Sequence, residues 1–279
     1  MKICVIGAGT MGSGIAQAFA QAGQKVIMKG MDDAENERAI TNLTRNLSKL
    51  VEKEKMDQAT MDATLENIVC TTNYTLFADA DLVVEAALEN MALKKEVFST
   101  LDKLCQSSTI FASNTSSLSI TEIGAATSRP TQVIGMHFFN PAPIMKLVEV
   151  IKGQCTSTEV FNRVMDIATS INKMAISVNE APGFVVNRLL IPLINEAIGI
   201  LAENVATKEE IDTAMKLGAN HPMGPLTLGD LIGLDVCLAI MEVLHAEFGE
   251  DKYRPHPLLR KMVRANLLGR KTGQGFYTY

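Results

Sequence analysis

K-I-C-V-I-G-A-G-T-M-G, residues 2 to 12, is an apolar run from Ile3 to Ile6 that enters a turn at Gly7, Gly9 and Gly12. A helical pattern follows at once, with Met11, Ile15, Ala16, Phe19 and Ala22 three and four apart. Strand, glycine turn and helix in that order is the context in which G-x-G-x-x-G binds a dinucleotide. Gly7 permits the tight turn. Gly9 lets a pyrophosphate approach the backbone, and Gly12 lets the helix pack close to the strand. Thr10 and Met11 open the helix, whose unpaired N–H groups and positive dipole end face the phosphates.

Working outward, the 279 residues suffice for two domains. A formal charge of −5 and no basic stripe exclude a nucleic-acid partner. No apolar run reaches the roughly 18 residues of a membrane span. The five cysteines are scattered without a C-x-x-C pair, so they read as small buried hydrophobes in a reducing compartment and not as metal ligands. The first strand begins at residue 2 and leaves no room for a signal peptide, so a cytoplasmic protein is expected.

A second strand, Lys25 to Met28, runs toward the place where a dinucleotide fold usually carries an acid for the adenosine ribose. That position holds Gly30. Lys29 beside it would attract a 2′-phosphate, whereas Asp32 and Asp33 read as a helix N-cap. Residues 34–66 are polar and helical, with Leu43, Leu47, Leu50 and Val51 as the apolar stripe. Lys49 and Lys53, four apart, are placed on one helix face, where they can meet a phosphorylated substrate. Further strands are expected at 68–71, 82–86, 109–112, 133–136, 147–151 and 175–178, alternating with helices at 91–104, 118–125 and 158–172. This is the pattern of a doubly wound α/β sheet. Ser113 to Ser117 lie just past a parallel strand, where ligands bind in such sheets, and one of these serines is expected to cap the next helix. After Pro182-Gly183 only helical periodicity remains: Phe184 to Ala202, then 207–218, about 226–247 and 256–267. The expected domains are 1–182 and an all-α 183–279.

Of four histidines, His137 alone falls at the C-terminal end of a parallel strand. An imidazole with its ordinary pKa of about 6.5 suits a group that takes a proton from an alcohol at neutral pH. Such a base needs a carboxylate to hold its tautomer. Glu149, in the next strand, is the candidate, because a glutamate buried in an apolar strand requires a cationic partner.

These residues sit within longer runs: V-I-G-A-G-T-M-G-S-G-I-A, S-N-T-S-S-L, G-M-H-F-F-N-P, K-L-V-E-V-I, E-A-P-G-F-V-V-N-R, N-H-P-M-G-P and G-R-K-T-G-Q-G-F-Y. With them the chain closely resembles, end to end, the short-chain L-3-hydroxyacyl-CoA dehydrogenase family, in particular its bacterial branch in butyrate metabolism. The resemblance implies a Rossmann-like domain followed by a helical domain that forms a homodimer. It implies an acyl-CoA substrate and interconversion of (S)-3-hydroxybutyryl-CoA and acetoacetyl-CoA. It implies His137 as the catalytic base with Glu149 as its partner, Ser116 touching substrate and nicotinamide, and Asn187 holding the substrate oxygen. Glu89, Lys94 and Asn140 match positions that contact the dinucleotide, and Lys53 matches a lysine that contacts CoA. Gly30 departs from the family's ribose-binding aspartate, so NAD(H) is expected with NADP(H) as the alternative. A β-hydroxyacid dehydrogenase acting on a small free acid would need a lysine on the helix after Gly183, and none lies between Lys173 and Lys208. A dinucleotide-binding protein without catalysis would be expected to lack His137 or Glu149, and both are present.

Overall fold

The computed structural model describes residues 1–279, which divide into two compact units, Met1–Glu180 and Ala181–Tyr279. The first unit begins β1 (Lys2–Ile6), α1 (Thr10–Gln21), β2 (Lys25–Lys29), α2 (Asp33–Glu52), α3 (Gln58–Glu66), β3 (Ile68–Thr71) and β4 (Leu82–Glu85). It continues α4 (Met91–Leu104), β5 (Ile110–Ser113), α5 (Ile120–Gly124), β6 (Val133–Phe138), β7 (Leu147–Lys152), α6 (Thr158–Ser170) and β8 (Met174–Asn179). One sheet holds all eight strands in the order β3-β2-β1-β4-β5-β6-β7-β8. The six from β3 to β6 are parallel, and their near-continuous apolar sequences are what a sheet covered on both faces requires.

β7 reverses direction. It pairs antiparallel with β6, and β8 follows β7 in parallel. The run of apolar strand segments does not mark the reversal, but the shortness of the connection explains it. Residues 139–146 are too few for a crossover helix, and only an antiparallel partner is reachable by so short a link.

Two expected elements of this unit are corrected. The helical stretch 34–66 is two helices, because Glu54 adopts a left-handed conformation (φ 55°) and Asp57 starts α3 as its cap. The cap of α5 is Ser119, whose Oγ accepts from Glu122 N at 3.1 Å, and not a serine of the 113–117 cluster. Asp32 caps α2 as expected, accepting from Glu35 N at 2.7 Å.

The second unit is helical: α7 (Val186–Ala202), α8 (Lys208–Gly218), α9 (Pro225–Ile232), α10 (Leu234–Phe248) and α11 (Pro257–Arg264). Its core gathers Ile194, Ile198, Leu226, Leu234, Met241 and Leu244. The single helix expected over 226–247 is broken between α9 and α10 at Gly233, whose φ of 103° no helix continues through. Two buried aspartates fasten the C-terminal tail. Asp230 accepts from Phe276 N and Tyr277 N, each at 2.9 Å, and Asp212 accepts from Tyr277 Oη at 3.1 Å. No helix is long and apolar enough to cross a membrane.

Candidate active site

The glycine turn lies at the C-terminal edge of the parallel strands. Gly7 has φ +95°, and a Cβ there would lie 2.6 Å from Ala86 O. A Cβ on Gly12 would lie 1.8 Å from Gly7 O, so only glycine lets α1 start this close to β1. A Cβ on Gly9 would meet nothing within 4 Å, and that open face is where a pyrophosphate can come against the backbone. α1 starts without a side-chain cap or an acidic residue in its first turn. Every other α-helix of this unit has a side-chain cap, from Asp32, Asp57, Asn90, Ser119 and Ser157. The α1 amides are thus kept for a ligand anion, and the turn fits a dinucleotide.

β2 delivers Gly30, whose N–H donates to Asn36 Oδ1 at 2.9 Å. The Asn36 amide goes on to Thr71 O at 3.1 Å, bridging the ends of β2 and β3. A Cβ on residue 30 would lie 2.5 Å from Asn36 Oδ1, so Asn36 fills the space that an acid at position 30 would take. Lys29 does not project as a phosphate hook. Its ammonium sits 4.4 Å above the Tyr74 ring and donates to Gly30 O, and burial pushes its pKa down. Beyond Gly30 the backbone meets acids: Glu35 accepts from Met31 N at 2.6 Å, with Asp32 and Asp33 beside it.

At the end of β4, Glu85 is fully buried and paired with Lys94 of α4 at 2.7 Å, the two being 0% and 1% exposed. Ala87 N and Ser113 Oγ also donate to Glu85, each at 2.7 Å, so its carboxylate is fully engaged. Lys94 reaches Glu89 as well, at 3.4 Å. Glu89 in turn accepts from Thr115 Oγ1 at 2.7 Å, Ser116 N at 2.9 Å and Ser116 Oγ at 3.2 Å. Burial pushes the Glu89 carboxyl up, but Lys94 and these donors outweigh it and hold it below the usual range. The polar cluster beyond β5 is therefore shaped around Glu89. Thr115, which sequence reasoning did not single out, is its short hydrogen-bond partner.

His137 and Glu149 stand directly opposite each other in the β6–β7 ladder. Cross-strand neighbours stand close enough for their side chains to meet. Nδ1 of His137 lies 2.8 Å from Glu149 Oε2, with the residues 5% and 0% exposed. A carboxylate on Nδ1 keeps the proton there and puts the lone pair on Nε2, the arrangement of a general base. Asn114 Oδ1 accepts from Phe138 N at 2.8 Å and ties the β5 loop to the residue beside His137.

The remaining candidates are spread over other elements. Asn140 is exposed on the 139–146 connection. Lys49 is exposed in the last turn of α2, and Lys53 is exposed as its C-cap residue, just past the helix on which it was expected. Asn187 lies in the first turn of α7, in the second unit. Burial pushes the thiols of Cys4 and Cys237 up to about 12 and that of Cys105 to about 11, so these cysteines offer no nucleophile.

A glycine turn open to a dinucleotide and a buried histidine–carboxylate pair on one sheet fit an oxidoreductase of the hydride-transferring class. Two family models complete the assignment: the NAD binding domain of 3-hydroxyacyl-CoA dehydrogenase matches residues 2–181, and the C-terminal domain of the same enzyme matches 183–279. The chain belongs to the 3-hydroxyacyl-CoA dehydrogenase family. It is 61% identical over 279 residues to a 3-hydroxybutyryl-CoA dehydrogenase of Clostridioides difficile, covering 100% of this chain and 99% of the relative. It is 44% identical to the mitochondrial hydroxyacyl-coenzyme A dehydrogenase of Homo sapiens, covering 99% of this chain and 90% of the relative. Among solved structures, the (S)-3-hydroxybutyryl-CoA dehydrogenase of Ralstonia eutropha superposes with a TM-score of 0.96 at 48% identity, covering 100% of this chain and 98% of the other. The protein is an NAD(H)-binding oxidoreductase acting on 3-hydroxyacyl-CoA.

Proposed function

We propose that the protein interconverts (S)-3-hydroxybutyryl-CoA and acetoacetyl-CoA, with His137 moving the proton. The observation that carries this reading is the buried His137–Glu149 pair at 2.8 Å. NAD(H) supplies the hydride acceptor or donor. In the direction of oxidation, Nε2 of His137 takes the substrate hydroxyl proton. The Glu149 carboxylate then stabilises the imidazolium and keeps the ring oriented. In reduction the imidazolium returns the proton to the forming alkoxide. Ser116, fixed by Glu89, and Asn187 orient the substrate oxygen, and Asn140, Glu89 and Lys94 contact the dinucleotide. Lys49 and Lys53 meet CoA phosphates as exposed point charges. The four-carbon acyl group is supported by the names of the relatives with 61% and 48% identity.

NAD(H) is preferred over NADP(H) in this reading, although Gly30 carries no carboxylate. A 2′-phosphate here meets Asp32, Asp33 and Glu35, while Lys29, the cation beside Gly30 in sequence, is turned onto Tyr74. The second unit forms a homodimer through exposed apolar side chains that include Leu189, Leu217 and Val236. Five free cysteines support a reducing, cytoplasmic setting.

The reading is tested by steady-state reduction of acetoacetyl-CoA against free acetoacetate, with NADH and NADPH in parallel. The CoA ester is expected to be favoured over the free acid by at least about a hundredfold in kcat/KM, since remote CoA contacts contribute to turnover. NADH is expected to be favoured by about tenfold or more, the scale of one unfavourable charge contact. Equal use of the free acid points to a β-hydroxyacid dehydrogenase. Preference for NADPH overturns the part given to the acids after Gly30.

A further inference from the structure

Lys173 is a buried ammonium with no part in the chemistry above. It is 8% exposed and stands one residue before β8. Its Nζ donates to three main-chain carbonyls: Ala142 O at 2.7 Å, Met145 O at 2.8 Å and Pro143 O at 3.2 Å. Three donors meet three acceptors, so the ammonium is saturated. All three carbonyls belong to residues 139–146, the connection that joins His137 on β6 to Glu149 on β7. Pro141 and Pro143 remove two N–H donors from that connection, so its inward carbonyls must be satisfied from elsewhere.

The same connection is pressed against α1. A Cβ on Gly14 would lie 3.3 Å from both Ala142 Cβ and Pro143 Cδ, so glycine lets the two elements meet closely. The 139–146 segment is thus held between the helix that follows the dinucleotide turn and a cation from the β8 end. It also carries Asn140.

We propose that Lys173 is a positioning residue: its ammonium fixes the 139–146 connection in the shape that keeps the His137–Glu149 pair aligned and seats Asn140 at the dinucleotide. This rests on the acid–base reading of that pair. A neutral amine has two N–H donors in place of three, so deprotonation leaves one carbonyl unserved and turns a lone pair toward the oxygens. Burial lowers the proton affinity of Lys173 below its ordinary 10.5. In the hollow around it, α1 contributes Ala18, Gln21 and Ala22, the end of α6 leads to Ile171 and Asn172, and the connection adds Lys146. Lys146 is the other titratable group there. Because the folded chain holds this proton less tightly than the unfolded chain, the contribution of Lys173 to stability rises with pH between its lowered value and 10.5. A loss of turnover across that window is therefore not unfolding driven by this residue.

The test compares wild type, K173M and K173R in (S)-3-hydroxybutyryl-CoA oxidation with NAD⁺, the direction in which His137 acts as a base and does not limit the alkaline side, as kcat, KM and the pH profile of kcat, alongside thermal melting. K173M is expected to lose kcat by at least about tenfold, as a displaced catalytic pair requires. Its KM for (S)-3-hydroxybutyryl-CoA is expected to stay within about twofold, since the CoA contacts lie elsewhere. K173R, whose guanidinium does not deprotonate, is expected to recover most of kcat and to move the alkaline limb to higher pH. A folded K173M with kcat within about twofold of wild type overturns the proposal, because no transition-state contact has then been lost. So does an alkaline limb that K173R leaves unmoved, and that measurement decides the matter if K173M does not fold. A wild type without turnover overturns the reaction reading itself and this proposal with it, whereas an active wild type with an unaffected K173M overturns this proposal alone.

Discussion

Replacing His137 with asparagine is expected to lower kcat by about a thousandfold, the usual contribution of a positioned general acid–base group. Dinucleotide affinity is expected to stay within about twofold, because the glycine turn that carries it lies on other strands. The substitution is chosen to isolate the proton transfer. Glu149 is 0% exposed, and deleting its partner outright would take the His137 contact from a buried carboxylate. The asparagine amide can donate to Glu149 from near the position of Nδ1, but it has no lone pair that takes a proton at neutral pH. Steady-state kinetics and a fluorescence titration with NADH read the two quantities separately. A variant that keeps more than about a tenth of kcat removes His137 from the proton step, since that loss is below what acid–base groups contribute.

Lys94→Met is expected to destabilise the first unit by about 3–5 kcal/mol, the cost of leaving a buried charge without its partner. Lys94 and Glu85 are 1% and 0% exposed and 2.7 Å apart. Removing the ammonium leaves Glu85 with only Ala87 N and Ser113 Oγ, and it also takes the cation from Glu89. The double variant E85Q/K94M removes both charges and is expected to recover most of the loss. Urea unfolding followed by circular dichroism measures it. A loss under about 1 kcal/mol for the single variant would mean that the pair behaves like an exposed one, and the burial argument would fail.

The fold was legible where local rules act alone. The glycine turn, the apolar runs of the parallel strands and the Asp32 cap all follow from neighbouring residues. What was missed depends on partners distant in sequence or on a backbone conformation. The break at Gly233 is marked only by a glycine within an apolar helical pattern, and many helices tolerate one. The cap at Ser119 is one serine among several, and it is chosen by where α5 packs. The reversal of β7 was readable in principle from the shortness of residues 139–146. That reversal makes Glu149 the direct cross-strand neighbour of His137, a pairing otherwise argued only from the cost of a buried glutamate.

At the site, residue types announced His137 and Glu149, but Lys173 gave no signal. A lysine before a strand looks solvated until the carbonyls of a segment 28 to 31 residues away are seen around it. Gly30 was read as a missing acid. In the fold it is the space that Asn36 occupies, a reading that needs the 2.5 Å approach and cannot come from spacing.

The most direct test of the central claim is to incubate the purified protein with acetoacetyl-CoA and NADH and to determine the amount and handedness of the product. Saturable NADH oxidation yielding (S)-3-hydroxybutyryl-CoA is the predicted result. No oxidation above the protein-free rate, or an R product, would contradict it.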